Sequence, residues 1–285
     1  MESELWTLTD GWNAPALTGE GGNCDAECRA QSDEHLPRNE GDHSEIHLSV
    51  IIPAYNEQHR LPATLAGVLG YLALQPWRAE VIVVDDGSTD RTGDLAGELG
   101  RCAVSLRVLR HPDGLNHGKG AAVRLGMLAA RGRFRLFMDA DNSTSIEHVE
   151  QCWRWLDAGC EVVIASRSLP ESILPVEQPW YRRIAGRIGN LVIRTLAVPG
   201  IADTQAGFKI FTARCAQQVF PRLTLNRWGF DIEALAIARR RGFQIREVPV
   251  TWLNAPGSKV TWRAYVDVFS EVLRVRHNLR AGLYD

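Results

Sequence analysis

The sequence predicts an α/β fold with a mostly parallel central sheet flanked by helices. From residue 48 onward, short apolar runs alternate with helix-length amphipathic segments, which is the pattern of βαβ units. Polar clusters rich in Asp, Gly and Ser follow several of these runs, and open α/β sheets bind ligands just beyond the carboxyl ends of their strands. A chain of 285 residues can bury such a core without disulfide or metal staples.

In chain order, LSVIIP (48–53), EVIVVD (80–85), SLRVLR (105–110) and FRLFMD (134–139) are apolar runs of strand length, with helices between them. A second alternation adds strands EVVIAS (161–166) and QIREVPV (244–250), and helices near 180–197, 229–242 and 261–279. The last of these is a C-terminal amphipathic helix. Residues 1–45 mix Gly, Asn, Ser and acids with little periodic hydrophobicity, so they are expected to form a disordered acidic arm, with 46–285 as one domain.

Composition excludes several classes. With 45% apolar residues, the chain still has no apolar run near the ~20 residues a bilayer span needs. The opening MESELWTLTDGW lacks the basic start and apolar middle of a secretory signal, so a cytoplasmic location is expected. The formal net charge of −2 conceals an asymmetry: residues 1–45 hold eleven acids and two bases, against 23 acids and 30 bases downstream. A basic body suits anionic partners such as phosphates, nucleic acid or acidic lipids, although solvated surface arginine is the plainer account. Six cysteines without framework spacing read as reduced thiols. Cys24 and Cys28, with His35 and His43, are of zinc-binding type, but their loose spacing in a disorder-like segment weighs against a site.

The strand-end clusters carry the chemistry. PAYNE (53–57) follows the first strand and DDGSTD (85–90) the second. Gly87 permits a tight turn, and Ser88 or Asp90 can cap the next helix. Asp85 and Asp86 either serve that turn alone or accept hydrogen bonds from a nucleotide's base or ribose. NHGKGAAVRLG (116–126) is not a phosphate loop, because Gly118-Lys119-Gly120 is followed by Ala121, with no hydroxyl of the kind the Gly-Lys-Ser/Thr pattern requires. What remains is a Gly-rich turn opening a helix, with Lys119 placed to reach a phosphate or ribose.

DADNST (139–144) is more informative, since capping uses one carboxylate and here there are two. Like charges that close raise each other's pKa unless a cation compensates. A divalent ion does so: hard oxygen ligands suit Mg²⁺ or Mn²⁺, and substrate phosphates complete the octahedron. Asp139 and Asp141 are therefore expected to form the protein's half of a metal–diphosphate clamp, against the plainer account of a capping Asp with a solvated neighbour. Further on, Ser166-Arg167, Arg182-Arg183, Asp203 with Lys209, Trp228 to Glu233, and Lys259 recur at element ends. Arginine reads phosphate bidentately, so Arg167 and Arg183 can hold a second anionic substrate.

Taken in order, PAYNE, VDDGSTD, GKGAA, DAD, SR, DTQAGFK, RWGFDIE and PGSK resemble the family 2 glycosyltransferases of the Rossmann-like GT-A fold, over roughly residues 48–280. The likeness is nearest to the dolichyl-phosphate β-glucosyltransferases and polyprenyl-phosphate mannosyltransferases. It implies a metal-dependent, inverting transfer of a sugar, glucose first, from a UDP-sugar to a polyprenyl phosphate. By it, Pro53, Ala54, Tyr55, Glu57, Asp85 and Asp86 cradle the nucleoside, while Asp139, Ala140 and Asp141 hold metal and diphosphate. Lys119, Lys209 and Lys259 add positive charge around the donor, and Ser166, Arg167 and Arg183 receive the acceptor phosphate. Asp203 or Asp231 can serve as base, with capping or core hydrogen bonding as the alternative. The resemblance gives nucleic acid no part.

A phosphate monoester has a second pKa of about 6, so a lipid-phosphate acceptor is already mostly a dianion at neutral pH. A hydroxyl acceptor needs a base. A phosphate acceptor therefore throws weight on the arginines, and a soluble alcohol acceptor throws it on a carboxylate. The eukaryotic glucosyltransferases carry an N-terminal membrane helix, and here an acidic arm stands in its place. The segments 180–198 and 260–280 are amphipathic and basic, as interfacial helices are, so peripheral membrane contact is expected; packing against the domain explains the same stripes. DADNST also departs from the DADGAT-like form of the nearest relatives at Asn142 and Ser143. A non-catalytic nucleotide-sugar-binding module is the second alternative.

Overall fold

The computed structural model describes residues 46–102, 105–174, 193–253 and 262–285. The acidic arm, Arg183 and Lys259 lie outside the described residues, as do Cys24, Cys28, His35, His43 and most of the helix expected at 180–197, of which 193–196 is helical.

Seven strands form one sheet in the order β3-β2-β1-β4-β6-β5-β7. They are β1 (Leu48–Ala54), β2 (Ala79–Asp85), β3 (Leu106–Arg110), β4 (Phe134–Met138), β5 (Val162–Ser166), β6 (Phe208–Thr212) and β7 (Ile245–Pro249). Strands β1 to β4 are mutually parallel where they pair, β5 and β7 are parallel to each other, and β6 runs antiparallel to both β4 and β5. The six expected strands are present within a residue or two. β1 is buried along its whole length, as a near-continuous run of branched residues demands when helices cover both faces.

Helices α1 (Leu61–Ala73), α2 (Thr92–Cys102) and α4 (Glu150–Asp157) pack on one face. On the other lie α3 (Lys119–Ala129), α5 (Ala213–Val219), α6 (Phe230–Arg240) and the long α7 (Trp262–Arg280). Alternate residues of each strand feed the two cores: Ile51 and Phe137 join the second set of helices, Val50, Ile52 and Leu136 the first.

Two elements were not expected from sequence. Strand β6 carries Lys209 inside the run FKIFT, which breaks its apolar signature, and α5 is a short helix capped by the Thr212 hydroxyl accepting from Cys215 N at 3.2 Å. The reversal at β6 brings its amino end, not its carboxyl end, to the same rim as the carboxyl ends of the other six strands.

β1 pairs with β2 as far as Ala54–Asp85, but its pairing with β4 ends at Ile51–Phe137. The two strands thus part at their carboxyl ends, in the crevice where strand order reverses from 3-2-1 to 4, the place where open α/β sheets take ligands. Pro53 sits beyond the last β1–β4 pair, so its missing N–H interrupts no ladder on that side.

Candidate active site

The first half of the rim is assembled by hydrogen bonds between loops. Asn56 lies at φ +53°, a left-handed conformation that asparagine tolerates better than most residues, and its amide donates to Ser88 Oγ at 3.0 Å while its side chain accepts from Thr89 N at 2.9 Å. Glu57 N donates to Thr92 Oγ1 at 2.7 Å, and the Glu57 carboxylate holds Arg60 at 2.6 Å. Of the two expected caps for α2, Asp90 serves, accepting from Thr92 N at 2.9 Å, whereas Ser88 ties the first loop to the second. Tyr55 is 40% exposed, while Pro53, Ala54, Asp85 and Asp86 are buried.

Both acids after β2 are satisfied inside the protein. Asp85 accepts from Ser88 N at 3.0 Å and from Arg110 Nε at 2.7 Å. Asp86 accepts from His117 N at 2.9 Å, Gly118 N at 2.8 Å and the Asn116 side chain at 2.9 Å, so its carboxylate is the post around which the 116–118 turn is wound. That turn opens α3 as expected, and it places Lys119 as the helix's first residue. Gly118, at φ +99°, adopts a backbone conformation that strains any side chain, and a Cβ there would also meet Asn226 O at 2.6 Å.

Lys119 Nζ lies 2.6 Å from Asp139 Oδ1, with the two side chains 23% and 34% exposed. Burial alone would lower the lysine's pKa, but the charges of Asp139 and Asp231 outweigh it and hold it above the ordinary range. Asp139 N donates to Gly207 O at 3.1 Å, and a Cβ on Gly207 would stand 2.0 Å from Asp139 Oδ2, so only glycine leaves the carboxylate its space. Between the acids, Ala140 is buried and its carbonyl accepts from Thr64 Oγ1 at 2.7 Å. Asp141 is half-buried and accepts from Ser143 N at 3.0 Å. Asn142 lies at φ +54°, where glycine is most at ease and asparagine next, so asparagine is tolerated where a DADGAT-like sequence has glycine.

These residues fit a small hard dication. Among the described residues no group of three or more His, Cys, Asp or Glu converges on one point, so there is no all-protein cage. Two carboxylates on one loop are what Mg²⁺ or Mn²⁺ takes when substrate phosphates complete its shell. A cation already sits on Asp139 in the form of the lysine ammonium.

The second half of the rim is charge-paired. Asp203 is 5% exposed and accepts from Arg167 N at 2.9 Å, Nε at 2.8 Å and Nη2 at 2.9 Å. Burial pushes its pKa up, but the guanidinium more than cancels this and holds the carboxyl below the usual range. Arg167 also donates to Gln205 O at 3.2 Å and lies 5.6 Å from the Trp252 ring centroid. The Ser166 hydroxyl, wholly buried, accepts from Ser168 N at 3.4 Å.

Lys209, 0% exposed, donates to Asp231 Oδ1 at 2.5 Å and to Ala206 O at 2.6 Å, beside the Phe137 ring. Burial pushes the lysine's pKa down and the aspartate's up, each towards neutrality, while mutual attraction opposes both. Glu233, in the same motif, accepts from Thr224 N, Leu225 N, the Thr224 hydroxyl and Tyr284 OH, so it fastens the C-terminus to the 224–225 loop.

The structure thus brings Asp85, Asp86, Lys119, Asp139, Asp141, Ser166, Arg167, Asp203, Lys209 and Asp231 to the same rim of the sheet. Sequence reasoning missed Arg110, Asn116 and Gly207. Arg110 closing an otherwise apolar strand was the available signal for the first, and Gly207 lay within a recognised motif without a role.

A parallel sheet with one reversed strand, crossed by this ordered set of strand-end motifs, defines a GT-A glycosyltransferase. The description Glycosyl transferase family 2 matches residues 49–211, and the chain belongs to that family. It is 34% identical over 262 residues to a dolichyl-phosphate beta-glucosyltransferase of Dictyostelium discoideum, covering 87% of this chain and 80% of that one. It is 38% identical over 235 residues to the Drosophila melanogaster protein of the same name, covering 77% and 71%. Among solved structures, glucosyl-3-phosphoglycerate synthase from Mycobacterium tuberculosis, in complex with Mn²⁺, UDP and glucosyl-3-phosphoglycerate, superposes with a TM-score of 0.59 at 18% identity over 81% of this chain and 80% of that one, a likeness of fold.

Proposed function

We propose that the protein transfers a glucosyl group from UDP-glucose to a polyprenyl phosphate of the dolichyl type, with inversion, using Mg²⁺ or Mn²⁺ held by Asp139 and Asp141. The observation that carries this reading is the state of the two candidate bases. Asp203 is clasped by Arg167 through both carboxylate oxygens, which lowers its basicity, and Asp231 is sealed against Lys209 at 5% exposure, so neither stands open to a hydroxyl. A phosphate dianion needs no such help. Relatives at 34% and 38% identity that bear the name dolichyl-phosphate beta-glucosyltransferase support the same donor and acceptor.

In this reading a phosphate oxygen of the acceptor attacks the anomeric carbon from the face opposite UDP. A new C–O bond forms as the bond to the diphosphate breaks. A bound dication supplies neutralisation of the charge that grows on the departing diphosphate. Tyr55, with Pro53, Ala54 and Glu57, shapes the nucleoside end of the crevice. Asp85 and Asp86 act there through Arg110 and the 116–118 turn. Lys119 and the amino end of α3 face the diphosphate, with Lys259 as a further cation and Lys209 as the buried support of Asp231. Arg167 and Arg183 receive the acceptor phosphate, while Ser166, wholly buried, supports the turn after β5 rather than touching it.

No helix among the described residues is long and apolar enough to cross a membrane. Phe269 and Leu273, one turn apart on α7, are 51% and 46% exposed, with Arg274 and Arg280 exposed beside them, which suits peripheral contact with the cytoplasmic face of a membrane.

The test is a screen of UDP- and GDP-sugars against a short-chain polyprenyl phosphate, with products weighed by mass spectrometry. A glucosylated lipid phosphate formed from UDP-glucose, and abolished by EDTA, is expected. Transfer to a soluble alcohol with none to the lipid phosphate would overturn the acceptor, and undiminished turnover in EDTA would overturn the metal.

A further inference from the structure

We infer that Lys119 is an internal counter-ion that occupies the metal-binding carboxylate until the donor arrives, so that dication and nucleoside diphosphate bind as one coupled event. The inference rests on the reading of Asp139 and Asp141 as the metal ligands, and it assigns a positioning role to a residue of this chain.

The geometry that points to it is narrow. Asp139 has one oxygen engaged by the ammonium at 2.6 Å and the other set against the Cα of Gly207, where even a methyl group would stand at 2.0 Å. The carboxylate is therefore enclosed on two sides, and an ion approaching it meets a cation already in contact. Lys119 in turn is anchored by its backbone. It begins α3, the Asp86 carboxylate fixes the turn before it, and Gly120 packs so closely on Phe230 and Asn226 that a Cβ would lie 2.6 Å from Phe230 Cβ. Only the flexible side chain is left to move.

Without the donor, a metal ion gains Asp139 only by breaking the 2.6 Å contact with the ammonium, and it then stands beside that cation with no phosphate charge to offset it. With the donor, the diphosphate brings negative charge that takes both cations at once: the ammonium turns to the phosphates and the carboxylate is released to the metal. The cost of separating the pair is thus borne only when UDP is present, which by linkage makes each ligand raise the affinity of the other.

The test measures Mn²⁺ binding by the loss of the free-ion electron paramagnetic resonance signal, with and without UDP. Protein variants are checked for folding by circular dichroism. In Lys119→Met, Mn²⁺ alone should bind roughly tenfold more tightly, and the enhancement by UDP should shrink by a similar factor. Lys119→Arg, which keeps a cation able to hold Asp139, should bind Mn²⁺ alone as weakly as the unaltered protein does. Arg60→Met is the control for charge without contact: Arg60 lies in the field of both acids but is bonded to Glu57, so Mn²⁺ binding should change little.

If Lys119→Met leaves binding of Mn²⁺ alone unchanged, or if Arg60→Met tightens it equally, the counter-ion role is wrong. If the unaltered protein binds no Mn²⁺ even with UDP, the metal reading itself fails.

Discussion

On the donor half of the rim, Asp139 and Asp141 stand partly open with a single lysine beside them; on the acceptor half, Asp203 and Asp231 are buried and each is held by its own cation. The same residue type at the same edge of one sheet has been given two different jobs. An acid that must capture a mobile cation has to keep unspent charge and access, and it contributes little to holding the fold. An acid sealed against arginine or lysine contributes geometry, and its loss strands a buried charge. Substitutions in the two halves should therefore fail in different ways.

The largest effect belongs to the donor half. Asp141→Ala should lower sugar transfer roughly 10³-fold, the scale of losing a preorganised electrostatic stabiliser. Because the side chain is half-buried and makes one hydrogen bond to Ser143 N, unfolding free energy should change by no more than about 1 kcal/mol. Metal-dependent UDP release and urea denaturation measured on the same preparation check both halves of that statement. Activity retained within threefold would remove Asp141 from the site.

Lys209→Met should do the reverse. It leaves Asp231 buried without its partner, which costs about 3–5 kcal/mol. The denaturation midpoint should fall accordingly. A stable Lys209→Met protein that has lost only activity would mean that the pair belongs to the chemistry, and the contrast between the halves would collapse.

Gly207→Ala sharpens the comparison, because the glycine sits on the reversed strand's side of the rim but makes room for the donor half's acid. The added methyl must push the Asp139 carboxylate aside, since the clash at 2.0 Å is with that side chain. A displacement of about 1 Å at a reacting site costs around 10² in rate. Fold stability should move far less than in Lys209→Met.

Much of this was legible in the chain. The parallel strands announced themselves because burial on both faces demands unbroken branched residues, as in LSVIIP and EVIVVD. The strand-end acids were legible because two carboxylates after an apolar run have no packing reason to be there. What could not be read was which acids were already spoken for. Asp86 and Asp139 look alike in sequence, yet one is saturated by the backbone amides of a turn thirty residues later and the other by a single lysine side chain. Hydrogen-bond saturation depends on tertiary neighbours, which periodicity does not encode. Strand β6 was hidden for the same reason: a lysine in the middle of a strand reads as exposed until Asp231 is seen 22 positions away to neutralise it. The arginine expected to wait for a phosphate was likewise found holding Asp203 with two of its nitrogens.

That last pair separates positioning from base catalysis. If Asp203 orients Arg167 for an acceptor phosphate, Asp203→Asn should raise the acceptor KM about tenfold while kcat stays within about threefold, the pattern of lost binding common to ground and transition states. Were Asp203 the base, kcat itself would drop 10²- to 10⁴-fold. Steady-state kinetics with a polyprenyl phosphate decides between them.

The smallest expected effect is on stability against acid, and it tests the acceptor half. Asp203 has its pKa held down in the folded protein by Arg167 against the opposing effect of burial. A depressed folded-state pKa means the unfolded chain binds the proton more readily, so the contribution is complete above the unfolded value of about 3.9 and disappears as pH falls through the lower folded value. Denaturation curves should therefore show the stability of the unaltered protein falling below about pH 4, and Asp203→Asn should remove part of that slope, amounting to less than one proton per molecule. An unchanged slope in Asp203→Asn would mean that this carboxylate gains nothing from Arg167 in the folded protein, and that the acceptor half is not the charge-sealed region the comparison makes it.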